Sequence, residues 1–188
     1  MTEKRNTKGF VGLIIAGVLS IIVALGALGF FQFYQTADNL YNKGNIFGEV
    51  PMKDEAVTAV KITGYAENPI ATIDGGTKLY LIEFTKTDND DFGYASLEVK
   101  EGDKLIEKLK STDDLVANPV IVAAKMRKSG ADGAVRNYTS EFKATISENE
   151  NISKLAETEY YVSVYEFDKD RQFAYIVAGI AGIIALVF

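Results

Sequence analysis

Two apolar stretches, Phe10 to Phe31 and Phe173 to Phe188, enclose a middle in which apolar and polar residues alternate. The first holds 22 consecutive residues with Ser20 as the only hydrogen-bonding side chain. At about 1.5 Å rise per residue, a helix of that length crosses the roughly 30 Å hydrocarbon core of a bilayer. Only a helix can do so within one segment, because every backbone N–H and C=O must find a partner inside it. Cleavable signal cores run about 7–15 residues and end at small residues, whereas this stretch is longer and continues into Phe-Phe-Gln-Phe-Tyr, so it reads as an uncleaved signal anchor. The second stretch, 16 residues with no basic residue after it, would extend about 24 Å as a helix. It reads as a second transmembrane helix that ends inside the membrane, either because the sequence stops before its natural C-terminus, the favoured reading, or because a short C-terminal anchor thins the bilayer locally.

Between them the spacing predicts strands. Val57 to Ala66 is rich in β-branched residues, and Ile70 to Ile73, Asp74-Gly75-Gly76 and Thr77 to Thr85 read as a hairpin. Tyr94 to Val99, Val120 to Met126, Phe142 to Ile146 and Tyr160 to Phe167 complete the strand set. One segment, Asp103 to Ser111, gathers Leu105, Ile106 and Leu109 on one side and reads as a short amphipathic helix. A helix between the third and fourth strands matches an OB-like partly open barrel, although a β-sandwich with one helix reads almost identically. The expected fold is therefore membrane-anchored α+β: two transmembrane helices flanking a small β-rich extracytoplasmic domain. Its expected divisions are a cytoplasmic N-terminus over 1–9, the first span over 10–32, a polar stalk over 33–50, the β-rich domain over 51–168 and the second span over 173–188.

Charge sets the expected orientation. Lys4, Arg5 and Lys8 against Glu3 give the first 32 residues +2, leaving −8 of the total −6 to the remainder. Basic residues before the first span, with none after it until Lys43, place the N-terminus in the cytoplasm and the domain outside a bacterial cell membrane. Aromatic residues Phe30, Phe31, Phe33 and Tyr34, then Tyr165, Phe167, Phe173 and Tyr175, suit belts at one interface. An acidic domain argues against nucleic acid as a partner, since phosphate binding needs a basic footprint.

The chemistry is sparse. Cys and His are both absent, which removes disulfides, the usual zinc sites, thiol nucleophiles and histidine-based acid–base mechanisms. No catalytic, cofactor or metal residue is assigned, and no enzyme is expected. Asp88, Asp90 and Asp91 before Gly93 suggest a calcium loop, but an EF-hand register would put Phe92 and Val99 where ligands are required. Small residues recur every fourth position, at Gly12, Ala16, Ser20 and Ala24 and again at Ala174, Ala178 and Gly182, as in helices that pack closely on one another or on a partner. Lys125, Arg127, Lys128, Arg136 and Lys143 against Asp132 and Glu141 make residues 125–143 locally +3, a patch for an anionic partner. Tyr65, Tyr80, Tyr94, Tyr160, Tyr161 and Tyr165 offer a stacking face of the kind OB-like domains use. Carboxylates such as Glu83 or Glu98 could pair for glycoside hydrolysis, but nothing in the spacing selects such a pair. The expected function is a non-enzymatic interaction or accessory module, with the lipid bilayer and other membrane proteins or further copies as partners. The alternative is a sensor domain for a glycan or a cation.

Overall fold

The computed structural model describes residues 7–73, 76–87, 91–131 and 138–187. The chain divides into two compact units, one of residues 35–168 and one formed by the two ends, 1–34 and 169–188.

The larger unit is a closed five-stranded β-barrel. Its strands are β1 (Val57–Tyr65), β3 (Thr77–Thr85), β4 (Phe92–Lys100), β5 (Val120–Lys128) and β6 (Tyr160–Ser163); β2 (Ala71–Ile73) extends β3 as a hairpin. The order β1-β5-β6-β4-β3 returns to β1, which pairs with both β5 and β3. All pairs are antiparallel except β4 with β6. Helix α3 (Lys104–Ser111) lies between β4 and β5 in sequence, capped by Asp103, whose carboxylate accepts the Leu105 N–H at 2.8 Å. This connectivity fits an OB-like barrel. Strand alternation sends Val60, Ile62, Ile82, Leu97, Val99, Met126 and Val162 into one core, which Leu105 and Leu109 of α3 join.

Three segments differ from the sequence reading. Residues 35–50, expected as a stalk, belong to the barrel unit: Thr36 caps α2 (Ala37–Asn42), Ile46 bridges to Ala59, and Phe47 is fully buried in the core. The Phe47 ring meets Phe84 edge-on, with centroids 4.8 Å apart. The expected strand at Phe142 to Ile146 is helix α4 (Tyr138–Ser147), followed by α5 (Glu150–Leu155). Phe142 and Ile146 are both buried and stand four apart, one helical turn, which a strand would also tolerate because four is even. The last strand stops at Ser163, and α6 (Val164–Val187) begins there. Ser163-x-x-Glu166 is a capping signature: the Glu166 N–H donates to Ser163 Oγ at 2.9 Å. Phe167, placed in an aromatic belt by the sequence reading, is buried.

The smaller unit is helical. It contains α1 (Thr7–Gly29), a π-helical turn (Phe30–Tyr34) and the later part of α6. Among the described residues, Val11–Tyr34 is the one helix long and apolar enough to cross a membrane, with a mean hydropathy of 2.7 and only 11% of its most apolar stretch buried. Helix α6 runs through the second apolar stretch and does not meet the same criterion.

Phe47→Ala is expected to destabilise the barrel by about 3–5 kcal/mol, the usual cost of emptying a buried aromatic site. Chemical unfolding monitored by circular dichroism measures it; a loss below about 1 kcal/mol would mean that residues 35–50 behave as a stalk after all.

Candidate functional site

A cleft of about 260 Å³ opens on the outer face of β1, β3 and β4, lined by Gly64, Tyr65, Ala66, Leu81, Glu83 and Tyr94. Register explains its composition. Gly64 pairs with Glu83 and Glu83 with Tyr94, so three outward positions form one row across three strands. Between Ile62 and Gly64 the pairing slips by one residue, leaving Thr63 as a bulge opposite β3. Gly64 gives the backbone close access to the carboxylate: a Cβ there would lie 3.2 Å from the Glu83 Cβ.

Glu83 is the polar centre of the cleft. Thr63 Oγ1 donates to Oε1 at 3.1 Å, and the Tyr94 hydroxyl donates to Oε2 at 3.1 Å. Both donors are neutral, and among the described residues no ion pair involves Glu83. Partial burial raises the Tyr94 hydroxyl above its ordinary value, and the adjacent carboxylate raises it further. Tyr65 is also raised, by burial first and then by Glu67 and Tyr80. Phe92, 40% exposed, continues the aromatic wall and meets Tyr94 edge-on at 6.1 Å.

Only two of the six tyrosines singled out in the sequence converge here. Tyr65 edges the cleft while packing against the core, and Tyr94 lines it. Tyr80 points into the barrel core, and Tyr161 is buried beside Leu79 in a separate cluster. The slip at Thr63 brings Gly64 opposite Glu83, and no single-residue signal in the sequence announces it.

The basic residues do not form one exposed patch. Lys125 and Arg127, on the outer face of β5, are buried among carboxylates. Lys125 Nζ lies 3.0 Å from Glu55, and Arg127 reaches Asp54 and Glu55, each at 3.2 Å, and Glu166. Nearby, Ser163 Oγ donates to the buried Glu98 at 2.6 Å. Burial pushes the Glu166 carboxyl upward against the pull of Arg127, whereas Arg127 stays charged because Glu166, Glu55 and Asp54 outweigh its own desolvation. This network ties the segment before β1 and the first turn of α6 to the barrel wall. Lys128 and Lys143 are exposed, and Arg136 lies outside the described residues.

Of the small-residue ridges, Ala24 and Ala178 are buried together with Ala181 where α1 and α6 meet inside the helical unit. Ser20 is half-buried and donates to the Ala16 carbonyl at 2.9 Å; Ala174 and Gly182 are half-buried, and Gly12 and Ala16 are exposed. Asp88 and Asp90 of the suggested calcium loop lie outside the described residues, and Asp91 pairs with Lys86 at 2.6 Å. Among the described residues no three acidic side chains converge as a metal site would require.

Fold and cleft together define an OB-like barrel carrying a small aromatic-and-carboxylate cleft, joined at both ends to apolar helices. No protein-family model, curated protein or solved structure matches the chain.

The protonated Tyr94 hydroxyl is the form that donates to Glu83, so this bond holds beyond the ordinary tyrosine value of about 10 and is lost as pH rises through the raised one. In tyrosinate absorbance titrations, subtracting Tyr94→Phe from the wild type is expected to leave a step above about pH 10; a step at or below that value would contradict the assigned bond.

Proposed function

We propose that the chain is a membrane-anchored, non-enzymatic interaction module whose barrel is held at the outer face of a cell membrane as an accessory subunit of a membrane complex. The observation that carries this reading is the apolar exterior of the helical unit. Ile22 is 60% exposed, Leu25 65%, Phe173 67% and Ile183 64%, on two helices that already touch through their alanines. Water does not tolerate a contiguous apolar surface of this kind, and lipid or partner helices would cover it. The later part of α6 then serves as the second span, with local thinning of the bilayer accommodating its length. Basic residues before the first span support a cytoplasmic N-terminus. Gly12 and Ala16 remain free on α1 as the close-approach surface for a partner helix.

A second reading, a ligand-binding sensor domain, is favoured by one observation: the cleft centred on Glu83, on the face that OB-like domains commonly use.

Alkaline carbonate washing of membranes is expected to leave the full chain in the pellet, and recovery in the supernatant would contradict anchoring. In mild detergent the chain is expected to elute in an assembly larger than one copy, and Gly12→Leu with Ala16→Leu to reduce it to a monomer. A wild type that already elutes as a lone monomer would overturn the accessory-subunit reading.

A further inference from the structure

The cleft has one acidic group and no basic one. Its Glu83 carboxylate is fixed by two neutral hydroxyl donors, Thr63 and Tyr94, and no cation pairs with it among the described residues. Around it the lining is apolar or aromatic, from Leu81, Ala66, Tyr65 and Tyr94. An anionic ligand would meet like charge there. A divalent metal ion would need several oxygen ligands, whereas no other carboxylate lines the cleft. A neutral sugar would gain little from a full charge over a neutral acceptor. An organic ammonium group satisfies both halves of the site, because its N–H donors complete the carboxylate's coordination while its carbon chain lies on Leu81 and the tyrosine edges.

Building on the ligand-binding reading, we infer that the Gly64–Glu83–Tyr94 cleft is a binding site for a small organic cation bearing a primary ammonium group. The aliphatic part of the ligand contacts Leu81 and Ala66, and the nitrogen donates to Glu83. The fixed carboxylate is already oriented in the free protein, so no side-chain ordering opposes binding at the anchor point. The cleft volume of about 260 Å³ admits one such group.

The test is titration calorimetry of the full chain in non-ionic detergent at low salt, with n-butylammonium as the probe and n-butanol as its neutral counterpart. Saturable binding of the cation is expected, with none of the alcohol. Glu83→Gln keeps an acceptor and a donor for the two hydroxyls and is expected to weaken binding about tenfold or more. Leu81→Lys places an intramolecular ammonium in the same cleft and is expected to abolish binding. Parallel titrations with glucosamine, glucose and Nα-acetyl-lysine amide separate the sources: an amino sugar or a peptide side chain follows from whichever amine binds more tightly. Equal binding of n-butanol, or of glucose and glucosamine, would overturn the inference while leaving a ligand-binding domain. An unchanged affinity in Glu83→Gln would also overturn it, and absence of any binding would remove both.

Discussion

Everything in the barrel unit depends on β1 pairing along both of its edges. Val57 to Ile62 pairs with β5 and Lys61 to Tyr65 with β3, so Lys61 and Ile62 are paired with both strands, while Ala59 is bridged on its other side by Ile46. One strand thus serves two neighbours in succession, and the sheet closes without leaving either edge open to another chain. The slip at Thr63 is the geometric means of that transfer, since a bulge adds twist and bends the strand. The cleft is a by-product of the same bend. Thr63 reaches back to Glu83, Gly64 brings the backbone against it, and Ala66 continues the pairing through its N–H to the Leu81 carbonyl at 2.9 Å.

The opposite wall carries charge inward instead of presenting it. Lys125 and Arg127 alternate with the core residues Ala124 and Met126, as an outer strand face should, but Asp54, Glu55 and Glu166 close over them. Pairing of this kind returns little net stability after both partners are desolvated, yet breaking it strands a buried charge at about 3–5 kcal/mol. Its effect is specificity of position: it fixes where the chain enters β1 and where α6 leaves β6. The +3 balance of residues 125–143 describes composition, and the carboxylates that decide its effect come from distant parts of the chain.

Strands β1, β3, β4 and β5 were legible because β-branched and alternating residues carry a two-residue period, and α3 because Leu105, Ile106 and Leu109 carry the helical one. The position of α3 between β4 and β5 also pointed to the OB-like alternative. Phe142 and Ile146 misled because a spacing of four suits both periods. The β6 boundary was missed although Ser163-x-x-Glu166 marked it; Tyr165 continued an apparent alternation and masked the cap. Residues 35–50 looked like a stalk because Ile46 and Phe47 are isolated in a polar run, and their burial depends on Ala59 and Phe84, which the fold alone brings near. At the cleft, Tyr65, Tyr94 and Glu83 were each visible as types, but their convergence depends on a register slip that no local signal encodes.

Backbone hydrogen exchange along β1 tests closure most directly, because both the barrel and its cleft require this strand to be bonded twice. Amides of residues 63–66 are expected to exchange as slowly as those of 57–62, reflecting one cooperative unit. Fast exchange of 63–66 beside a protected 57–62 would mean that β1 pairs with β5 alone, that the sheet is open, and that the cleft is not a fixed feature of the protein.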